Sequence, residues 1–376
     1  MRGRRNRSDA LGGFAAILLA LWQPALPAER TGEPALPAVL YDYTAGLPDH
    51  APQSGRPAAD PAWNARAALG RVLFYDRGLS RNGLVSCGSC HQQQSGFDDP
   101  TRFSIGFAGR ITRRSAMALA NAAFNPDGVY FRDRRAPSLE AQTLMPFFDE
   151  IEMGLRPGEL AARVAERNWY GRLFLDAFGD PAPSEARIAA ALATFVRSLA
   201  SFGARYDAGR AAAGSPPTGF ADFSAAENRG MVLFHTPRER GGAGCAACHE
   251  TDAFVMTGAR DNGLPPLPGR DDGGMGELTG NPRDRGLFRA PSLRNIAVSA
   301  PYMRDGRFRT LEAVIDHYSD GIAATENLDP LLRGPDGRPA PLRLPQSDRD
   351  ALVAFLQTLT DTKFLTDPRF ADPFLR

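Results

Sequence analysis

The segments CGSCH at residues 87–91 and CAACH at residues 245–249 decide how this chain folds. Each has the spacing C-x-x-C-H, in which two thiols attach a c-type haem and the adjacent histidine binds its iron. Together they use all 4 cysteines of the 376 residues. A disulfide loop, a redox-active cysteine pair or a zinc site would also use such cysteines, but two complete motifs favour two haems. The predicted cofactor-binding residues are Cys87, Cys90, His91, Cys245, Cys248 and His249, with His91 and His249 as ligands of haem iron.

The N-terminus has the features of a secretory signal peptide. Several arginines precede an apolar stretch at residues 11–22, which is too short for an ordinary membrane span, and small residues follow at 25–28. The sequence therefore predicts a signal peptide at residues 1–28 and export to the periplasm. An uncleaved membrane anchor is the alternative interpretation of this segment. No later stretch of the sequence is long and apolar enough to span a membrane.

The composition is that of a globular protein without a strong charge bias. Hydrophobic residues make up 43% and charged residues 23%, and the net charge is only +1. This balance argues against nucleic acid or an anionic membrane as a partner.

A repeated pattern divides the chain into two similar halves. The pattern G-x-V-L-F begins at Gly70 and Gly230, before each haem motif, and Y-x-R-D-x-R-x-x-x-L-E-A begins at Tyr130 and Tyr302, after it. Helical spacing of apolar residues, a capping box at Ser224 and many Gly and Pro residues predict helices joined by long loops. We expect a mostly α protein of two cytochrome c-like haem domains related by internal duplication. The predicted segments are an N-terminal domain at 29–207, a linker at 208–219 and a C-terminal domain at 220–376.

The two halves differ at a position where a haem ligand could lie. Fourteen residues after the arginine of each block stand Pro146 in the first half and Tyr318 in the second. A phenolate can bind ferric iron and a proline cannot. We therefore expect an open first haem and a second haem closed by Tyr318. Three alternatives stay open: Tyr318 is a core residue, His317 is the ligand, or Met145 closes the first haem.

The chain resembles the bacterial di-haem cytochrome c peroxidases and their relative MauG. The resemblance rests on residues 69–91, on 139–142 with Pro146 and Glu152-Met153, and on 289–295 with 300–303. It implies that hydrogen peroxide binds the first haem, in a pocket with Gln142, Pro146 and Glu152. It also implies that Glu152 moves a proton between the two peroxide oxygens; a solvated carboxylate at a helix end is the alternative for Glu152.

The chain departs from that family at several positions. Phe107 stands where peroxidases that need reductive activation keep a switchable histidine, which implies a first haem that needs no activation. Arg132 and Arg304 replace a Trp and a His of the family, and their guanidinium groups suit haem propionates. Ser115 replaces an Asn of the family's calcium site. One calcium ion is still expected if the carbonyls of Ser299 and Pro301 contribute.

The resemblance and the predicted Tyr318 ligand together favour one function over two others. Because an anionic oxygen ligand favours oxidised iron, the second haem suits the oxidation of an aromatic side chain in a periplasmic partner protein. A cytochrome c peroxidase that uses a small redox protein as electron donor is the first alternative. A di-haem electron carrier without catalysis is the second.

Overall fold

Helices joined by long loops carry both haem motifs. The computed structural model describes residues 32–44, 46–57, 59–214 and 219–374, and the predicted signal peptide at 1–28 lies outside them. Residues from Glu33 onward form one compact unit. Within the described ranges, pairing between extended segments is limited to isolated bridges, so the mostly α prediction is confirmed. The helices are α1 Trp63–Tyr75, α2 Cys87–Cys90, α3 Leu139–Phe148, α4 Glu159–Ala165, α5 Asn168–Phe178, α6 Glu185–Ser198, α7 Arg205–Ala213, α8 Ala225–His235, α9 Met275–Thr279, α10 Leu311–Asp320 and α11 Gln346–Gln357.

Each half contains a pair of helices that cross at a glycine. A Cβ added at Gly70 of α1 would lie 2.0 Å from the Ala191 carbonyl oxygen of α6. The same atom at Gly230 of α8 would lie 1.9 Å from the carbonyl oxygen of Ala351 in α11. Glycine is therefore required at both crossings, because any side chain would force the helices apart.

An aromatic cluster fills the core beside each haem motif. In the first half, the ring centroids of Phe74 and Phe195 are 5.2 Å apart, and Phe97 packs edge to face against Phe364 at 5.6 Å. In the second half, the rings of Phe234 and Phe355 are 5.3 Å apart. Since Phe364 follows α11, the end of the chain returns to the core of the first half.

The helix ends test the local predictions from the sequence. The predicted capping box is confirmed: Glu227 N donates to Ser224 Oγ at 3.2 Å, and Ser224 N donates to the Glu227 carboxylate at 2.7 Å. Ser347 has a side chain suited to a helix cap, but α11 begins one residue before it, at Gln346, and Pro345 takes the cap position.

The division into domains at 29–207 and 220–376 stays a prediction. Helix α7, at Arg205–Ala213, runs into the predicted linker at 208–219, and residues 215–218 lie outside the described ranges. In the part of the chain that the structure describes, no helix combines the length and the apolar character needed to cross a lipid bilayer.

Candidate haem sites and active site

A large cavity in the second half collects the predicted haem residues of that half. Its volume is about 940 Å³, and Cys245, Cys248, His249 and Tyr318 all line it. Cofactor pockets commonly reach this size, so the cavity suits a group as large as a haem.

Both predicted proximal histidines are partly buried and kept neutral. Burial lowers the pKa of His249 to about 4, and it also lowers the pKa of His91. His91 Nδ1 lies 2.9 Å from the carbonyl oxygen of Phe97, and this contact favours the tautomer with a proton on Nδ1. Nε2 of His91 is then free of its proton, which is the form of imidazole that binds a metal.

The four cysteines are free thiols at the expected places. Burial raises the pKa of Cys87 and of Cys245 to about 12, and that of Cys90 to about 11. Neither motif forms a disulfide. The set fits thioether attachment of two haems, because paired thiols and a neutral imidazole occur together in each half.

Pro146 and Tyr318 occupy the same place in equivalent helices. Ser138 caps α3 by accepting from Ala141 N at 3.1 Å, and Thr310 caps α10 by accepting from Ala313 N at 3.2 Å. Pro146 is the eighth residue of α3, and Tyr318 is the eighth residue of α10. The structure therefore supports the comparison on which the predicted difference between the two haems depends.

The surroundings of Tyr318 favour it over His317 as the ligand of the second haem. Asn262 Nδ2 donates to Tyr318 Oη at 3.3 Å and to Met303 Sδ at 3.6 Å, and all three residues line the cavity. His317 Nε2 instead lies 3.0 Å from the carbonyl oxygen of Asn262, in a buried position. Burial raises the pKa of Tyr318 to about 12, so its phenol keeps its proton unless a bound cation displaces it.

The predicted peroxide residues lie on α3 and on the loop that follows it. Gln142 and Pro146 belong to α3, and the carbonyl oxygen of Pro146 accepts from Met153 N at 3.2 Å. Met145 is 37% exposed, and this position argues against Met145 as a haem ligand.

Glu152 lies within electrostatic reach of the first haem motif. Burial is the main cause of the raised pKa of Cys87 and of Cys90, and the negative charge of Glu152 raises both further. Burial, with repulsion from Asp149, raises the pKa of Glu152 itself to about 7. A solvated carboxylate would not show such a shift, so this alternative is disfavoured.

Phe107 holds the loop of Glu152 in place. Phe107 N donates to the Glu152 carbonyl oxygen at 2.9 Å, and a Cβ at Gly154 would lie 2.2 Å from the Phe107 ring. The segments around Phe107 and Glu152 are thus joined by a backbone hydrogen bond and by the packing of the Phe107 ring against Gly154.

Arg132 and Arg304 both line the cavity of the second half. Arg132 Nη2 donates to the Ala116 carbonyl oxygen at 2.7 Å and its Nε to that of Ser115 at 3.3 Å. Arg304 Nη2 donates to the Leu264 carbonyl oxygen at 2.6 Å, and its guanidinium lies 4.6 Å from the ring centre of Phe288.

Two further arginines of this cavity were missed by the sequence reasoning. Nε of Arg260 and Nε of Arg289 are buried and have no hydrogen-bond partner within the described ranges. Arg260 Nη1 already donates to the Asp329 carboxylate at 2.8 Å. Arg289 is therefore the better candidate for a haem propionate, since a guanidinium matches a carboxylate. Arg289 opens a segment that carried the family resemblance, and a buried arginine in such a segment was the available signal.

The residues present do not fit the expected calcium ion. The Ser115 carbonyl oxygen accepts from Arg132, and Ser115 has no amide side chain to offer. Across residues 32–374, apart from the positions that the structure leaves undescribed, no group of three or more His, Cys, Asp or Glu residues could hold a metal.

Comparison with known proteins places the chain in one family. A family model described as di-haem cytochrome c peroxidase matches residues 64–213. The methylamine utilization protein MauG of Methylorubrum extorquens is 37% identical over 307 residues, which cover 81% of this chain and 80% of the relative. The cytochrome c551 peroxidase of Nitrosomonas europaea is 31% identical, over 66% of this chain and 71% of the relative.

A solved structure agrees with these sequence relatives. The crystal structure of a MauG-like protein associated with microbial copper homeostasis superposes with a TM-score of 0.74 at 34% identity. The match covers 88% of this chain and 99% of that one. The chain belongs to the di-haem cytochrome c peroxidase family that includes MauG, and it is an oxidoreductase of the peroxidase type.

Proposed function

We propose that this protein is a periplasmic di-haem peroxidase that reduces hydrogen peroxide at the first haem and oxidises an aromatic side chain of a partner protein. One observation carries the proposal: equivalent helices present Pro146 in the first half and Tyr318 in the second. The first offers no donor to iron, and the second offers a phenol oxygen that lines the cavity of His249. Two haems with different sixth positions suit a division between peroxide binding and storage of oxidising equivalents.

The first site has a group that can move a proton at neutral pH. When bound, the haems supply the iron at which the O–O bond breaks and the rings that share the oxidation. The pKa of Glu152, about 7, gives both protonation states at neutral pH. Its carboxyl group takes the proton from one peroxide oxygen and returns it to the other, as an efficient general acid–base requires. Gln142, on α3, offers an amide to orient the peroxide.

The second site has a phenol whose hydrogen bonding suits an anionic ligand. The donor Nδ2 of Asn262, 3.3 Å from Tyr318 Oη, stabilises negative charge on that oxygen. An anionic oxygen ligand makes oxidised iron more stable, so the second haem is a poor acceptor from an ordinary cytochrome. This property supports a protein side chain, rather than a small cytochrome, as the final reductant.

Stoichiometric hydrogen peroxide added to the ferric protein tests the proposal. We expect the absorption spectra of both haems to change together and to persist until a reductant or partner protein is added. Rapid decay, or a change confined to one haem, contradicts the proposed sharing of the oxidation between the two haems.

Cytochrome-dependent removal of peroxide is the second candidate. It is favoured by the relative from Nitrosomonas europaea, which is named a cytochrome c551 peroxidase. Steady-state turnover with a reduced small cytochrome c separates the two functions. Turnover much faster than the oxidation of any partner protein would select this second function.

A further inference from the structure

A partly buried positive charge lies where segments from the two halves of the protein meet. Arg132 belongs to the repeated block of the first half, but its side chain lines the cavity that contains His249. Its Nη2 donates to the carbonyl oxygen of Ala116 at 2.7 Å and its Nε to that of Ser115 at 3.3 Å. Burial lowers the pKa of Arg132 only to about 10, so the guanidinium stays charged at neutral pH.

Backbone hydrogen bonds fix both Arg132 and the segment to which its side chain donates. The carbonyl oxygen of Arg132 accepts from Arg289 N at 2.7 Å, and Ser115 N donates to the Arg304 carbonyl oxygen at 3.0 Å. The segment Ser115–Ala116 is therefore held between the backbone of Arg304 and the side chain of Arg132. First-half and second-half segments meet on the wall of one haem cavity.

An acidic residue completes the surroundings of the charge. Asp98 is only 6% exposed, lines the same cavity, and interacts electrostatically with Arg132. The turn that follows the second haem motif has Val255 where the first has Asp98, since the bridges pair Gln92 with Asp98 and Glu250 with Val255. The turn itself therefore does not need a carboxylate. Burial raises the pKa of Asp98 to about 7 against the opposing charge of Arg132, so Asp98 balances that charge only in part at neutral pH.

Two consecutive carbonyl oxygens and a buried carboxylate are the donors that a hard divalent cation prefers. In this protein both carbonyl oxygens already accept hydrogen bonds from the guanidinium of Arg132. We propose that the Arg132 guanidinium takes the place of a bound cation where the two halves meet. It holds Ser115–Ala116 against the second haem cavity, so the protein needs no calcium ion at this position. This inference is independent of the peroxide reaction proposed above.

Metal content of the di-haem protein is the direct test. We expect far less than one calcium per chain after gel filtration in calcium-containing buffer, and no change in Tm or haem spectra on adding a calcium chelator. Stoichiometric calcium that survives gel filtration, and whose removal lowers Tm or alters the spectra, would overturn the proposal.

Variants of Arg132 test the role of the charge itself. Arg132→Gln removes the charge from the cavity wall, so we expect a lower Tm and a more negative midpoint potential of the second haem. Arg132→Lys keeps a charge and should retain most of the potential. Arg309→Gln, at an exposed position, is the matched control for loss of one positive charge. Equal potentials in the Arg132→Gln and Arg309→Gln proteins would contradict the role; if Arg132→Gln does not fold, Arg132→Lys and the calcium measurement still decide.

Discussion

At the scale of single residues, Glu152 is the side chain to which the proposed function assigns the transfer of the peroxide proton. Its raised pKa, about 7, reflects burial and the neighbouring Asp149. We predict that Glu152→Gln lowers kcat/KM for peroxide by roughly 10²–10⁴-fold, the usual contribution of a general acid–base. Glu150→Gln is the control, because Glu150 is exposed two residues away. Equal losses in both variants would refute the role of Glu152.

The same carboxyl group makes the stability of the protein depend on pH. The folded pKa of about 7 lies above the ordinary value of 4.5, so the folded state holds its proton to higher pH than the unfolded state. The Glu152 carboxyl group does not destabilise the folded state below its ordinary pKa of 4.5. Its destabilising effect grows as the pH rises and reaches its full size above the folded pKa of about 7. We predict that the Tm advantage of Glu152→Gln over the wild type increases between about pH 4.5 and pH 7. Thermal unfolding across this window measures it, and a constant difference would contradict it.

Tyr318 and His317 can be separated by spectroscopy of the ferric protein. We predict that Tyr318→Phe converts the second haem to a high-spin form, because phenylalanine offers no atom to iron. His317→Gln should leave one high-spin haem, since His317 bonds to the Asn262 carbonyl instead. Electron paramagnetic resonance distinguishes these outcomes, and a new high-spin signal only in the His317 variant would reverse the assignment.

Residue identities predicted some of the site but not its spatial arrangement. Haem motifs and the Pro146–Tyr318 pair were accessible from spacing alone, because covalent attachment and helix position are local properties. The location of Arg132 was not, since a first-half residue that lines the second-half cavity depends on how the halves pack. For the same reason the sequence could not show that Arg132 occupies the Ser115 carbonyl.

At the scale of helices, the two glycine crossings position the haem motifs. We predict that Gly230→Ala destabilises the protein by about 1–3 kcal/mol, because its Cβ would lie 1.9 Å from the Ala351 carbonyl oxygen. Gly171→Ala in α5 is the matched control: a Cβ there meets nothing within 4 Å, and alanine should stabilise the helix by up to about 1 kcal/mol. Denaturant unfolding of both variants checks the pair, and a loss of stability in Gly171→Ala as large as in Gly230→Ala would remove the close-contact explanation.

Helix boundaries show why sequence alone located the elements only approximately. The capping box at Ser224 and Glu227 was predictable because both partners are three residues apart and bond to each other. The start of α11 was not, because Ser347 has a favourable cap side chain but the chain turns earlier, at Pro345.

At the scale of the whole molecule, the end of the chain supports the first haem site. Phe370 is 2% exposed, and its ring centroid lies 5.3 Å from that of Phe364. The Phe364 ring in turn packs edge to face against Phe97, whose carbonyl accepts from His91. The Phe364 and Asp367 carbonyls also accept from Gln93 Nε2, at 3.0 and 2.9 Å. Residues near position 370 thus contact the segment that contains the first haem motif.

We therefore predict that Phe370→Ala costs about 3–5 kcal/mol of folding free energy, as for other buried phenylalanines, and alters the first haem rather than the second. The reason is that its ring contacts Tyr43, Phe195 and Phe364 of the first-half core. Leu278→Ala, at a 57% exposed side chain, is the control for a loss of apolar volume. Denaturant unfolding, with the ferric spectrum of each haem, measures both effects. A spectral change confined to the second haem would show that the tail does not act on the first site, and the two halves would then be more independent than these contacts imply.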